Sequence, residues 1–352
     1  MAIEKADIQQ FLHLAAQYPV LDVRSPGEYL HAHIPGAFSL PLFTDEERKI
    51  VGTAYKQQSR ETAIKKGLDY FGPKMRSLVE EVENITQHSI AGQGKRIVLV
   101  HCWRGGMRSA GVAWLLDLYG FKVYTLSGGY KNFRRYVLDN FEQNYSFNVL
   151  GGFTGSGKTE ILQVLEQNDE TIIDLEKLAV HKGSAFGSLG MPAQPSQEMF
   201  ENMFALALIQ ARLKAPDKPI WLEDESQRIG NINIPQPIWL AMRKAKLYFI
   251  DIPYEERLKH IITWYGLQDK EKILQAIIRI KKKLGGQETK LAVNYLIEDD
   301  IVACFSVLLK YYDKWYAKGL QSRNLQNENL LKTTSPIVDA TINAQLLLQL
   351  AD

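Results

Sequence analysis

The stretch GFTGSGKT, Gly152–Thr159, constrains this chain more than any other part of it. It fits G-x-x-x-x-G-K-[ST], follows the apolar run FNVLG and precedes the helical pattern EILQVLEQ, which is the strand–loop–helix context the pattern needs. In that setting the amides of Thr154–Lys158 wrap a di- or triphosphate at a helix N-terminus, Lys158 neutralises it, and the Thr159 hydroxyl holds Mg²⁺ where a metal is used. Gly152, Thr154, Gly155, Ser156, Gly157, Lys158 and Thr159 are the expected phosphate-binding residues of this P-loop.

The runs SFNVLGG (Ser146–Gly152), ETIIDL (Glu170–Leu175), KPIWLED (Lys218–Asp224) and AKLYFIDI (Ala245–Ile252) are strand-like and alternate with helical stretches, which predicts an α/β domain around the P-loop. From Tyr254 onward the pattern is mainly helical. PIWLEDES ends a strand in three carboxylates, and a strand-terminal acid can hold Mg²⁺ through water. Glu223 and Asp224 are the candidates, with Thr159 and Asp224 the expected Mg²⁺ position, while Glu225 reads equally as a solvated acidic turn. Asp174 stands at an expected strand end, and His181 lies in the glycine-rich stretch that follows, a loop suited to covering a ligand. His181 reads equally as a structural histidine. Basic and aromatic residues interleave in RIKKKLGGQETK (Arg279–Lys290) and KYYDKWYAKG (Lys310–Gly319), a pattern that suits phosphate backbones and stacked bases as well as it suits a solvated helix face.

The first part of the chain alternates in the same way, with YPVLDVR (Tyr18–Arg24), RIVLVHC (Arg96–Cys102) and KVYTLSGG (Lys122–Gly129) as strands, which predicts a second parallel sheet. Residues 45–87 read as a polar, solvated helical excursion, and residues 131–145 as a connecting helix, so the expected domains are 1–130 and 146–352. In VHCWRGGMRSA (Val100–Ala110), Cys102 ends a strand and precedes a helix. Consecutive amides near a helix N-terminus form an anion nest; Gly105 and Gly106 permit it, and Arg104 and Arg108 add positive charge, so a low-pKa nucleophilic thiolate is expected. The chain has only two cysteines among 352 residues and a net charge of +2. A disulfide framework is therefore excluded, and any anion-binding surface must be local. No stretch approaches a membrane span or a signal peptide, so a cytoplasmic location is expected, with no membrane and no DNA partner.

LDVRSPGEYLHAHIPGA (Leu21–Ala37) resembles the N-terminal signature of rhodanese domains, VYTLSGGY (Val123–Tyr130) resembles their C-terminal one, and the cysteine loop falls between them. The resemblance implies that Cys102 carries a transferable chalcogen, with Asp22 and Arg24 supporting the fold around the loop. The spacing from Cys102 to Arg108 is C-x5-R, one residue longer than in sulfurtransferase rhodaneses. It is similar to that of rhodanese-like dual-specificity phosphatases, which favours a larger or tetrahedral group over simple sulfur transfer.

The whole chain resembles the tRNA 2-selenouridine synthase family, in VGTAYKQQS (Val51–Ser59) and DLEKLAVHKGSAFG (Asp174–Gly187) as well as in both loops. That resemblance implies a rhodanese-like parallel-sheet domain followed by a P-loop NTPase-like α/β domain with a helical C-terminal part. It also implies a transferase acting on 2-thiouridine at the wobble position of tRNA. Geranyl diphosphate would give an S-geranyl intermediate, selenophosphate would then supply selenium, a selenophosphate supplier would be the partner, and no tightly bound cofactor is expected. Cys102 would act either as a perselenide carrier or by positioning selenophosphate. A bifunctional phosphatase–kinase, a tRNA sulfurtransferase and a non-catalytic tRNA-binding or nucleotide-sensing module stay open on the residues alone.

Overall fold

The computed structural model describes residues 3–88, 96–266, 269–323 and 329–351. The chain forms two compact units, Met1–Asn140 with Glu201–Met203, and Phe141–Phe200 with Phe204–Asp352.

In the first unit β1 (Ile3–Ala6), β2 (Val20–Asp22), β3 (Phe38–Ser39), β4 (Ile97–His101) and β5 (Lys122–Leu126) make an all-parallel sheet in the order β1-β5-β4-β2-β3. β4 is central, and its residues from Val98 on are buried, which explains why its sequence is continuously apolar rather than alternating. Its register sets Asp22 opposite His101, so both side chains stand at the carboxyl end of the sheet, beside Cys102. The polar excursion forms two helices, Asp45–Gln57 and Arg60–His88. Thr44 and Glu47 close a capping box at the start of the first. The second is not simply solvated: Phe71, Leu78, Val79 and Val82 pack into the core that holds Val98, Val100 and Cys102. Helix Gly129–Phe141 follows β5 and buries Tyr130, Phe133 and Val137.

In the second unit β6 (Phe147–Gly152) and β7 (Ile220–Glu223) pair in parallel. β8 (Arg228–Ile229) and β9 (Ile232–Asn233) form a small antiparallel hairpin, and β10 (Lys246–Asp251) and β11 (Leu330–Thr334) complete a parallel sheet ordered β11-β10-β6-β7. The predicted strand at Glu170–Leu175 is reduced to one parallel bridge, Ile172 with Trp221. The cause is local: the Asp174 carboxylate accepts from the Lys177 amide and starts helix Leu175–Ala179, which ends the extended segment. Ile161, Leu165, Trp221, Tyr248 and Leu347 form one core around the sheet. A second core, with Ile273, Ile277, Cys304, Phe305 and Leu308, ties together the helices between Tyr254 and Gln321. Among the described residues no helix is long and apolar enough to cross a membrane.

Candidate active site: a thiolate loop and a P-loop cavity

Cys102 is 3% exposed, while Trp103 to Met107 lie on the surface. The loop is held backbone against backbone. A Cβ at Gly105 (φ +64°) would meet Leu126 O at 2.7 Å, and one at Gly129 (φ +60°) would collide with Cys102 O and Gly105 N. The first amides of helix Gly129–Phe141 are spent on the loop, Tyr130 N donating to Cys102 O at 2.8 Å and Lys131 N to Trp103 O at 2.9 Å. Sγ lies 3.2 Å from Ser109 Oγ. Burial opposes the thiolate, but hydrogen bonds from the Ser109 hydroxyl and the Ser109 and Gly106 amides, together with the charge of Arg108, outweigh it and hold the thiol below its ordinary value.

The two arginines are placed differently. Arg104 is exposed. Arg108 Nη1 donates to Glu28 Oε2 at 2.8 Å, and Glu28 also accepts from the Ser25 amide to close the capping box of helix Pro26–His31. Arg108 is thus an anchored charge beside the thiol. Asp22 and Arg24 are buried and paired, Arg24 Nε lying 2.9 and 3.0 Å from the two carboxylate oxygens, and the guanidinium stacks 3.8 Å from the Tyr130 ring centroid. Three residues around this loop escaped the sequence reading, Glu28 among them. Ser109 sits in the quoted motif but carries no signal by type. His101 is fully buried with neither ring nitrogen hydrogen-bonded, and burial pushes it down to about 4 despite Asp22 at 3.7 Å.

In the second unit, β6 delivers the P-loop to the start of helix Lys158–Gln167. Gly155 (φ +84°) and Gly157 (φ +70°) occupy left-handed conformations, and a Cβ at Gly155 would meet Arg257 O at 2.8 Å. Ser156 Oγ donates to Phe153 O at 2.6 Å, and Lys158 Nζ lies 3.3 Å from Gly152 O. Arg257 braces the loop from behind, donating to Thr154 O at 3.0 Å and, through both terminal nitrogens, to Asp313.

The acidic residues correct the expected Mg²⁺ position. Thr159 Oγ1 donates to Glu223 at 2.8 Å and lies 3.4 Å from Glu176, whereas Asp224, which lines the same cavity, accepts from Tyr316 OH at 2.8 Å and from Arg323 Nη1 at 2.5 Å. β7 ends at Glu223, and the chain then turns, the Glu225 amide donating to Glu223 O at 2.9 Å, which returns the Glu225 carboxylate to the side of Glu223. Glu225 is accordingly half-buried rather than a solvated turn. Oxygens of Glu176, Glu223 and Glu225 all lie within 4.8 Å of one another. Burial, then mutual repulsion, raises Glu176 and Glu225; Glu223 is raised by burial against the pull of Lys158 and Thr159. Three carboxylates held this close beside a threonine hydroxyl form a hard oxygen donor set that fits a divalent cation. Asp174 acts as a helix cap and stands outside this trio, though it lines the same cavity. His181 also lines it, 5% exposed, its Nδ1 without a partner, and burial with the nearby Arg279 lowers its pKa.

The cavity has a volume of about 910 Å³. The P-loop, the three glutamates and Lys182 form one part of its wall, and Phe186, Ile261, Phe305, Leu308 and Leu309 form an apolar part.

A cysteine loop of this construction in one parallel α/β unit, followed by a P-loop in another, defines the class: a rhodanese-like module joined to a P-loop module. Residues 7–136 match the rhodanese-like domain family, and residues 145–345 match the tRNA 2-selenouridine synthase AAA domain. The chain belongs to the tRNA 2-selenouridine synthase family. It is 36% identical to the tRNA 2-selenouridine synthase of Nitrosomonas europaea, over 72% of this chain and 64% of that protein. It is 32% identical to that of Hahella chejuensis, over 90% of this chain and 89% of the other. The match with Nitrosomonas eutropha spans 63% of that protein, so the chain covers just under two thirds of both Nitrosomonas relatives.

Proposed function

We propose that this chain is a transferase that converts wobble 2-thiouridine in tRNA to 2-selenouridine through an S-geranyl intermediate. The observation that carries the reading is the composition of the P-loop cavity, in which a phosphate cradle shares one space with a wall of Phe186, Ile261, Phe305 and Leu308. A nucleoside triphosphate presents a polar ribose beyond its phosphates. A prenyl diphosphate presents a hydrocarbon chain, whose burial returns about 0.8 kcal/mol per carbon.

In the first step the thiocarbonyl sulfur attacks C1 of the geranyl group, the S–C bond forms, the C–O bond breaks with its electron pair leaving on diphosphate, and the base loses its N3 proton. The amides of residues 154–158 and Lys158 would take up the charge that develops on the leaving group. Glu176, Glu223 and Glu225 are the residues that would hold Mg²⁺, which when bound neutralises diphosphate charge. In the second step the selenium of selenophosphate attacks C2 to form the C2–Se bond, the geranyl thiolate leaves with its electron pair, and water cleaves the Se–P bond to release inorganic phosphate. Cys102 serves that step, its thiolate supported by Ser109 and Arg108, by orienting selenophosphate, since a perselenide on the thiol would need a two-electron oxidant that selenophosphate does not supply. The reading places the protein in the cytoplasm, with tRNA and a selenophosphate-supplying enzyme as partners.

The test is to incubate the full chain with thiolated tRNA, geranyl diphosphate and selenophosphate, separately and together, and to identify the wobble nucleoside by mass spectrometry. Cys102→Ala should let geranylated tRNA accumulate without selenation, and Lys158→Ala should block geranylation. Loss of both activities in Cys102→Ala, or undiminished geranylation in Lys158→Ala, would overturn this division of labour.

A further inference from the structure

The same cavity carries a second kind of surface, which the prenyl chain does not account for. Phe186, Phe305 and Leu308 are at most 3% exposed, but two indoles that line the cavity are open to solvent, Trp264 at 50% and Trp315 at 46%. Each has a lysine ammonium over its ring, Lys182 Nζ 4.3 Å from the Trp264 centroid and Lys318 Nζ 4.9 Å from that of Trp315. Tyr311 meets Trp315 edge-on at 6.3 Å, and Lys283 also lines the cavity. A hydrocarbon gains nothing from ammonium groups, whereas an unpaired nucleotide needs both an aromatic face for its base and a cation for its phosphate.

We propose that Trp264 and Trp315 form the stacking site for an unstacked pyrimidine of single-stranded RNA, with Lys182 and Lys318 releasing the rings to contact the flanking phosphates. The proposal rests on the reading above, because the thiouridine must approach a carbon whose diphosphate is held by the P-loop, from the side opposite the leaving oxygen. The exposed indoles mark the open part of the cavity, where an RNA loop would enter. Extracting a base from its stack costs free energy, and each aromatic contact returns part of it.

The experiment measures binding of the full chain to an RNA stem-loop with 2-thiouridine in its loop, by fluorescence anisotropy, alongside binding of geranyl diphosphate. Trp264→Leu and Trp315→Leu, which keep an apolar side chain without a stacking face, should each weaken RNA binding by about tenfold, with the Phe variants recovering most of it. Geranyl diphosphate affinity should stay unchanged. Lys182→Ala and Lys318→Ala should each lower the slope of log affinity against log salt by about 0.7. Wild-type geranylation of the RNA together with unaltered RNA affinity in both leucine variants overturns this proposal and leaves the function standing. A fall in geranyl diphosphate affinity without a fall in RNA affinity assigns the indoles to the prenyl chain and also overturns it. Wild-type protein that binds neither ligand overturns the proposed function as well.

Discussion

Ser109→Ala isolates one contribution to the Cys102 thiolate. The Ser109 hydroxyl lies 3.2 Å from Sγ and 3.1 Å from Gly106 O. It has one proton to give. While Cys102 is a thiol that proton stays on Gly106 O, and when the thiolate forms it turns to sulfur. A hydrogen bond to a charged acceptor is worth about 1.5–3 kcal/mol and a neutral one about 0.5–1.5, so the exchange favours the thiolate by about 1–1.5 kcal/mol. That equals about one pKa unit. Alanine nearly preserves the volume, so Ser109→Ala should raise the Cys102 pKa by about one unit and cut the thiolate fraction about tenfold at any pH where the thiol is mostly protonated. The ultraviolet absorbance of the thiolate, followed against pH, measures this. The only other cysteine, Cys304, is pushed up to about 11 by burial and stays silent over the range. An unchanged midpoint would show that the Gly106 and Ser109 amides hold the thiolate without the hydroxyl, and the reasoning would fail.

Asp224→Asn should strand the Arg323 guanidinium, whose side chain is 1% exposed, costing about 3–5 kcal/mol in unfolding free energy while Mg²⁺ affinity holds; Glu223→Gln should do the reverse, and matching effects in calorimetry and metal titration would refute the assignment. Gly129→Ala should displace the cysteine loop, because its Cβ would meet the Cys102 carbonyl and the Gly105 amide, lowering stability by about 1–3 kcal/mol; a melting temperature equal to wild type would contradict this. His101 is held neutral, its pKa lowered from 6.5 to about 4. The unfolded chain binds the proton first as pH falls, so stability contributed by the neutral ring is present above 6.5 and is lost toward pH 4, by about 3 kcal/mol. The protection factors of the β4 amides, taken relative to the intrinsic exchange rate at each pH, should fall over that window in wild type and much less in His101→Gln; an equal fall in both would reject the linkage.

The P-loop and the cysteine loop were legible because each is a local device. A strand, a few glycines at positive φ, a cation and a following helix suffice to aim amides at an anion, and all of them lie within a dozen residues of sequence. The polar helices 45–88 were harder. Their sequence is rich in charge, and only the packing of Phe71, Leu78 and Val82 against β4 shows that one face is core. Ser109 and Glu28 were invisible because a serine and a glutamate take their meaning from the sulfur and the guanidinium they meet.

What the sequence by itself determined is a P-loop set between a strand and a helix, and a cysteine at a strand end followed by a glycine- and arginine-rich loop, since backbone conformation and neighbouring residues dictate both. Only the tertiary structure decided which acids face Thr159. Glu176, Glu223 and Glu225 converge from two segments, and Asp224, just past the end of β7, is held by Tyr316 and Arg323 instead. It also decided that the phosphate cradle opens onto Phe186, Phe305 and Leu308, because apolar residues from distant helices become one wall only when long-range burial brings those helices together.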